Sequence, residues 1–108
     1  MKGISRRYTA TLERVVDADT IDVSIDLGFY VHTKQRLRLA RINAPEMSTH
    51  EGQEAARQLS AHLSNAPILN IVTFKAEKYG RFLAEVFVGE LNVSDWLLES
   101  GLAVLYGG

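Results

Sequence analysis

Residues 20–27, TIDVSIDL, alternate strictly between polar and apolar side chains. Successive side chains of a strand point to opposite faces of a sheet, so the apolar residues of this stretch share one face: Ile21, Val23, Ile25 and Leu27. We therefore predict an antiparallel strand with one face buried and the other toward water, ended by Gly28.

The stretches on both sides of this strand predict further strands and two helices. The other predicted strands are 8–16, 31–43, 68–74 and 82–88, and the predicted helices are 53–63 and a second one capped by Asn92. Within 31–43 the apolar phase changes near Ala40, and we expect a β-bulge there. Five short strands with a helix after the third predict a mainly β, α+β fold: a five-stranded Greek-key barrel of the OB type with two helices. A split open α+β sheet is the alternative on pattern alone.

Composition limits the classes of protein that need to be considered. The chain has 108 residues, of which 46% are hydrophobic and 23% charged, and we expect one domain over 1–108. The absence of cysteine excludes a disulfide scaffold, a thiolate zinc site and a cysteine nucleophile. No apolar run approaches the ~20 residues that cross a bilayer, so we expect no membrane partner. The basic N-terminus lacks a following apolar segment, which predicts a cytoplasmic protein, or a secreted one if a signal was removed.

The net charge of −1 means that a nucleic acid could bind only through a local basic cluster. One such cluster is residues 36–46, RLRLARINAPE, in which arginines precede an amide, a proline and a carboxylate. An arginine fork can grip a phosphate with two hydrogen bonds. The alternative is the solvated polar face of an ordinary strand, which we expect for Arg36 and Arg41.

Two further polar segments interrupt the predicted strands. Asp17 and Asp19 stand two residues apart before a strand, and paired carboxylates suit a hard cation such as Ca²⁺ or Mg²⁺. An Asp-rich turn is the alternative interpretation. Residues 78–81, KYGR, offer an aromatic ring for base stacking and an arginine for phosphate, or form a plain connection between two strands.

Together these segments resemble the staphylococcal nuclease family, also called thermonuclease-like domains. The matching stretches occur in the order of the family and cover about residues 8–103. They are 15–21 (VVDADTI), 36–39 (RLRL), 42–46 (INAPE), 52–55 (GQEA), 78–84 (KYGRFLA), 92–93 (NV) and 101–103 (GLA). The resemblance implies the same OB-type barrel and an activity, the Ca²⁺-dependent hydrolysis of DNA and RNA that leaves 3′-phosphates.

The resemblance also implies roles for individual residues of this chain. Arg38 and Arg81 match the two arginines that hold the phosphate, and Glu46 matches the general base for the attacking water. Tyr79 matches an aromatic that lines the nucleotide pocket, and we expect the neighbouring Lys78 to bind substrate as well.

The metal ligands implied by the resemblance include one departure from the family. Asp19 matches a carboxylate ligand of calcium, Ala44 would supply its backbone carbonyl, and Asp17 would lie beside the metal. Asn43 stands where the family usually has a second carboxylate. An amide oxygen still ligates Ca²⁺, but the affinity for Ca²⁺ is lower when the ligands carry less negative charge.

The sequence therefore predicts a Ca²⁺-dependent nuclease that acts on single-stranded or frayed DNA or RNA, as a monomer or a small homo-oligomer. The alternative is a non-catalytic module of the OB type that binds nucleic acid or protein, since such barrels bind oligonucleotides without chemistry.

Overall fold

Strands dominate residues 6–77 and 80–106, the part of the chain that this computed structural model describes. In chain order the elements are β1 (Arg6–Asp17), β2 (Thr20–Asp26), β3 (His32–Leu39), β4 (Ile42–Asn43), α1 (His50–Ser64), β5 (Leu69–Ala76), β6 (Arg81–Val88), β7 (Leu91–Asn92), α2 (Val93–Glu99) and β8 (Val104–Leu105). Neither helix of this part is long and apolar enough to cross a membrane.

The long strands form a closed barrel. Their order in the sheet is β3-β2-β1-β5-β6-β7, and β3 also pairs with β6 in parallel, so that β1, β2, β3, β5 and β6 close on themselves. The other pairings between these five strands are antiparallel. This confirms the predicted five-stranded OB-type barrel with two helices, and the open sheet is wrong.

The hydrophobic core lies inside the barrel, and β2, the strand with the clearest alternation, contributes three residues to it. Ile21, Val23 and Ile25 of β2 are at most 5% exposed and share one buried cluster with apolar residues of both helices. Burying one such side chain contributes about 1.5–3 kcal/mol relative to leaving it in water. Leu27 does not join them, because β2 ends at Asp26 and the chain turns there.

The expected β-bulge near Ala40 is wrong. Strand β3 ends at Leu39, the chain turns through Ala40 and Arg41, and β4 then pairs with β8 instead of β2. Arg41 has a φ of 73°, the left-handed backbone of a tight turn. The change of apolar phase therefore marks a change of partner strand, which carries Asn43 away from the barrel wall.

Three residues of α2 and β6 hold this turn. The hydroxyl of Ser94, a fully buried residue, donates to the Ala40 carbonyl at 2.8 Å. The Arg41 guanidinium donates to Glu85 at 2.6 and 3.1 Å and lies 3.0 Å from Asp95. The turn before β4 is thus fixed from both sides, and with it the position of the segment that follows.

The helices begin and end near their predicted bounds. Helix α1 begins at His50, three residues before the predicted start, because Thr49 caps it. Asn65 ends it as expected. The predicted cap of α2 is confirmed, since the Asn92 side chain accepts the Asp95 N–H at 3.1 Å.

Candidate functional site

The turn between β1 and β2 presents the first two candidate residues. Asp17 pairs with Thr20 across the hairpin, which leaves Ala18 and Asp19 as its two-residue loop. The Asp19 N–H donates to Asp17 Oδ1 at 3.1 Å, and the Thr20 hydroxyl donates to Asp19 Oδ1 at 3.1 Å. Asp19 is only 8% exposed, so the loop holds a carboxylate largely out of water.

Backbone contacts tie this loop to the segment around β4. The Ala44 N–H donates to Asp19 Oδ2 at 2.9 Å, and the Leu39 N–H donates to the Asp19 carbonyl at 2.8 Å. One residue therefore bonds to both sides of the Ala40–Arg41 turn. The structure brings Asp17 and Asp19 together with Ala44, which lies 25 residues after Asp19 in the chain.

Arg38 lies at the centre of this cluster. Its Nη2 is 3.2 Å from Asn43 Oδ1 and 3.6 Å from Asp19 Oδ2, and its Nη1 donates to the Leu39 carbonyl at 2.9 Å. The side chain is 11% exposed. The carboxylate and the amide oxygen thus converge on one positively charged nitrogen.

Tyr106 is a neighbour of Arg38 that the sequence did not indicate. The Arg38 guanidinium lies 5.8 Å from the centre of the Tyr106 ring. The pairing of β4 with β8 and a bond from the Tyr106 N–H to the Arg41 carbonyl at 2.8 Å bring the ring there. No local motif marks this contact, because it depends on a pairing between short strands distant in sequence.

The pKa values of the two aspartates are shifted in opposite directions. Burial, together with the neighbouring Asp19, raises the pKa of Asp17 to about 6. Burial alone would raise the pKa of Asp19 too, but hydrogen bonds from Asp17, Ala44 and Thr20 and the charge of Arg38 hold it below its ordinary value. The pair therefore keeps its negative charge on Asp19, next to Arg38.

Arg81 lies on the same outer face of the barrel as Arg38. In the parallel β3–β6 ladder Arg81 pairs with Arg36 and Arg38 pairs with Leu83, and side chains two apart on a strand share a face. The strand spacings put the Cα atoms of Arg38 and Arg81 at about 8 Å, as diagonal neighbours. Arg81 Nη2 lies 3.5 Å from Glu77, whereas Arg36 donates two bonds to Asp22 at 2.7 and 3.0 Å.

Glu46 follows the cluster on a short loop before α1. Its side chain is on the exposed surface, and its backbone carbonyl accepts the hydroxyl of Thr49 at 2.6 Å and the N–H of Thr49 at 3.0 Å. The sequence had not indicated Thr49, although threonine before a helix is a common N-cap. Lys78 and Tyr79 lie outside the described residues.

The donor atoms of the cluster suit a hard cation. Asp17, Asp19 and Asn43 offer side-chain oxygens, the kind of ligand that Ca²⁺ prefers, and Ala44 contacts the cluster through its N–H. The oxygens of Asp19 and Asn43 already converge on a cationic nitrogen of Arg38. Within residues 6–77 and 80–106, no group of three or more His, Cys, Asp or Glu side chains is arranged to hold a metal. A cation here would therefore depend on amide and carbonyl oxygens as well as carboxylates.

Comparison with known proteins gives one family. The family model described as "Staphylococcal nuclease homologue" matches residues 36–107. The chain is 31% identical over 111 residues to Endonuclease YncB of Bacillus subtilis (strain 168), which covers 94% of this chain and 50% of that protein. It is 31% identical over 110 residues to Thermonuclease of Staphylococcus hyicus, which covers 94% and 62%.

A third relative is an uncharacterized protein of Bacillus anthracis, 28% identical over 99 residues, 84% of this chain and 44% of that protein. The chain thus spans 44% to 62% of the length of these three relatives. The family model covers about two thirds of the chain and includes the end of β3 with Arg38 and the Asn43–Glu46 segment. The chain belongs to the staphylococcal nuclease homologue family.

Proposed function

We propose that this chain is a Ca²⁺-dependent nuclease that hydrolyses phosphodiester bonds of single-stranded or frayed DNA or RNA and leaves 3′-phosphates. The observation that carries the proposal is the convergence of Asp19 and Asn43 on Arg38. Membership of the family and the names of two relatives support the same chemistry.

The two arginines account for the stabilisation of the reacting phosphate. A phosphodiester carries one negative charge, and its five-coordinate transition state places more charge on the equatorial oxygens. Arg38 and Arg81 share the outer face of the β3–β6 seam, so that one phosphate can accept hydrogen bonds from both. Fixed donors of this kind stabilise the transition state more than the ground state.

Both arginines would exchange an internal partner for the phosphate. Arg38 lies 3.6 Å from Asp19, and Arg81 lies 3.5 Å from Glu77. These separations exceed those of close charge-assisted hydrogen bonds, about 2.7–2.9 Å. A phosphate oxygen that accepts directly therefore offers each guanidinium a stronger bond than its present ion pair.

Asp19, the amide oxygen of Asn43 and the carbonyl of Ala44 would hold the cation, with Asp17 beside them. When bound, Ca²⁺ supplies positive charge that polarises the phosphate. The chain's own part is to keep Asp19 ionised, which the low pKa of that carboxyl achieves. The neutral Asn43 gives this site one charge less than two carboxylates would.

Glu46 would act as the general base. An ionised carboxylate on the exposed surface can orient a water molecule and accept its proton as the phosphorus is attacked. Its position in the chain, two residues after Ala44, is consistent with a place beside the cation. By the resemblance, Tyr79 would line the nucleotide pocket, with Lys78 near the phosphates.

The test is cleavage of single-stranded DNA labelled at its 5′ end, with Ca²⁺ and with a chelator. We expect shortened products whose 3′ ends lose phosphate on treatment with a 3′-phosphatase. Glu46→Gln should lower kcat by about 10²–10⁴-fold, because the amide keeps the shape but accepts no proton. Glu90→Gln, an exposed change in the β6–β7 turn, is the matched control. Binding without cleavage would favour the non-catalytic module, and wild-type kcat in Glu46→Gln would exclude Glu46 as the base.

A further inference from the structure

Helix α1 begins directly beneath the peptide of Glu46. Gly52 is the third residue of this helix and is buried. A Cβ built on Gly52 would overlap the Glu46 carbonyl oxygen and would lie 2.5 Å from its carbonyl carbon and 2.8 Å from the Pro45 oxygen. These neighbours are backbone atoms, which cannot rotate away as the end of a side chain can. Glycine is therefore required here for space.

A glycine at this position is unfavourable for the helix itself. Glycine in a helix costs roughly 0.5–1 kcal/mol relative to alanine, and the third position of a capped helix more often carries Glu or Gln. The backbone of Gly52 does not adopt the left-handed conformation that would call for glycine. The close approach of the Glu46 peptide explains why glycine occupies this position.

Thr49 holds the same peptide through hydrogen bonds. Its hydroxyl donates to the Glu46 carbonyl at 2.6 Å and accepts the Gly52 N–H at 3.0 Å, while its own N–H donates to that carbonyl at 3.0 Å. Gln53 adds a bond from its amide to the Met47 carbonyl at 3.1 Å. The loop from Glu46 to the helix is thus bound to the first turn of α1 at several points.

We propose that Gly52 and Thr49 are positioning residues, which hold the backbone of Glu46 so that its carboxylate faces the reacting water. The proposal rests on the proposed function, in which Glu46 is the general base. Only Met47, Ser48 and Thr49 separate Glu46 from the helix, so a displacement at Gly52 passes to Glu46 with little to absorb it.

The size of the displacement follows from the contact. Ordinary van der Waals contacts of a Cβ begin near 3.4 Å, and the Glu46 carbonyl carbon lies at 2.5 Å, so an alanine at Gly52 would require a shift of about 1 Å between helix and loop. A misplacement of about 1 Å in a catalytic group can lower a rate by ~10²-fold. We therefore expect Gly52→Ala to lower kcat by about 10–100-fold with KM changed by less than about twofold, because substrate binding does not depend on Glu46.

The experiment compares four variants with the wild-type chain in the Ca²⁺-dependent cleavage of single-stranded DNA. Thr49→Val removes the hydroxyl and should lower kcat about tenfold, and Thr49→Ser should restore it. Ala61→Gly, at an exposed position of α1, weakens the helix by about as much as the loss of the Thr49 cap does. Because Ala61 does not contact Glu46, this variant should keep the wild-type kcat. Hydrogen exchange of the Thr49 amide should be slow in the wild-type chain and faster in Gly52→Ala.

The outcomes separate the two proposals. A wild-type chain that cleaves, with Gly52→Ala folded and equally fast, would overturn the positioning role and leave the nuclease function standing. An equal loss in Ala61→Gly would overturn it too, since the loss would then follow from helix stability. If Gly52→Ala does not fold, the contrast between Thr49→Val and Thr49→Ser decides. A wild-type chain without cleavage would overturn both proposals.

Discussion

Asn43→Asp should tighten the binding of Ca²⁺ about tenfold. Asn43 is exposed, and its side-chain oxygen lies 3.2 Å from Arg38. Two unit charges about 4 Å apart interact by ~1 kcal/mol in bulk water, so a divalent cation would gain about 2 kcal/mol from the added carboxylate. Arg38 is attracted to the same carboxylate and offsets part of this gain. The remainder, about 1.4 kcal/mol, corresponds to a tenfold lower Kd.

The same substitution should leave the stability of the metal-free protein nearly unchanged. Two carboxylates in one cluster repel each other, but those of Asp19 and the new Asp would flank the same Arg38 nitrogen, and its charge offsets the repulsion. We therefore expect the Tm without Ca²⁺ to shift by no more than about 2–4 °C, the effect of ~0.5 kcal/mol in a domain of this size. A larger fall would mean that Arg38 does not lie between the two acidic groups.

Calorimetric titration with Ca²⁺ measures the affinities, and Asn70→Asp is the matched control. Asn70 is an exposed residue of β5 that pairs with Thr9, eight residues along β1 from Asp17. It makes the same change in net charge far from the cluster. Equal Kd values in the wild-type and Asn43→Asp proteins, or an equal gain in Asn70→Asp, would refute the assignment of Asn43 to the cation site.

Two further predictions concern the phosphate-binding face and the β2–β3 turn. Arg38→Ala and Arg81→Ala should each lower kcat by about 10²–10³-fold with a smaller effect on KM, whereas the control Arg57→Ala, on the exposed face of α1, should leave kcat unchanged. Steady-state kinetics measure both constants, and a change in KM alone would mark the two arginines as binding residues. Phe29 and Tyr30 have φ values of 57° and 62°, which strain the backbone of residues other than glycine and asparagine, and their side chains are 96% and 101% exposed. The double change Phe29→Asn, Tyr30→Gly should therefore stabilise the fold by about 1–2 kcal/mol and raise the Tm in thermal melts, and an unchanged or lower Tm would contradict this strain.

The elements that local pattern decides were predicted well. The alternation along β2 depends on neighbours two residues apart, so Ile21, Val23 and Ile25 could be assigned to the core. The prediction failed where two structures give the same pattern. A bulge and a turn with a new partner strand both shift the apolar phase after Leu39, and only the β4–β8 pairing distinguishes them.

The candidate site was predictable through the resemblance and not through local chemistry. Asp19 and Arg38 stand 19 residues apart, and nothing in either segment states that they meet. Tyr106 was missed for the same reason, since its contact with Arg38 depends on tertiary packing. The Thr49 cap is a local feature, and the threonine before the helix is the signal that could have identified it. Helix α1 was predicted to begin at 53, whereas it begins at His50 and includes Gly52, whose closeness to the Glu46 peptide no local pattern indicates.

Asp19 affects both the stability of the barrel and the proposed binding of a cation and a phosphate. An ionised carboxylate taken out of water costs several kcal/mol unless charges and hydrogen bonds offset the loss. Arg38 supplies the charge, and the donors of Thr20 and Ala44 supply the hydrogen bonds. The chain therefore holds this carboxylate ionised with its own groups, which makes the negative charge available before a cation or a phosphate arrives. Because the same Arg38 faces the proposed phosphate site, the group that stabilises Asp19 in the free protein is also one that a substrate would recruit.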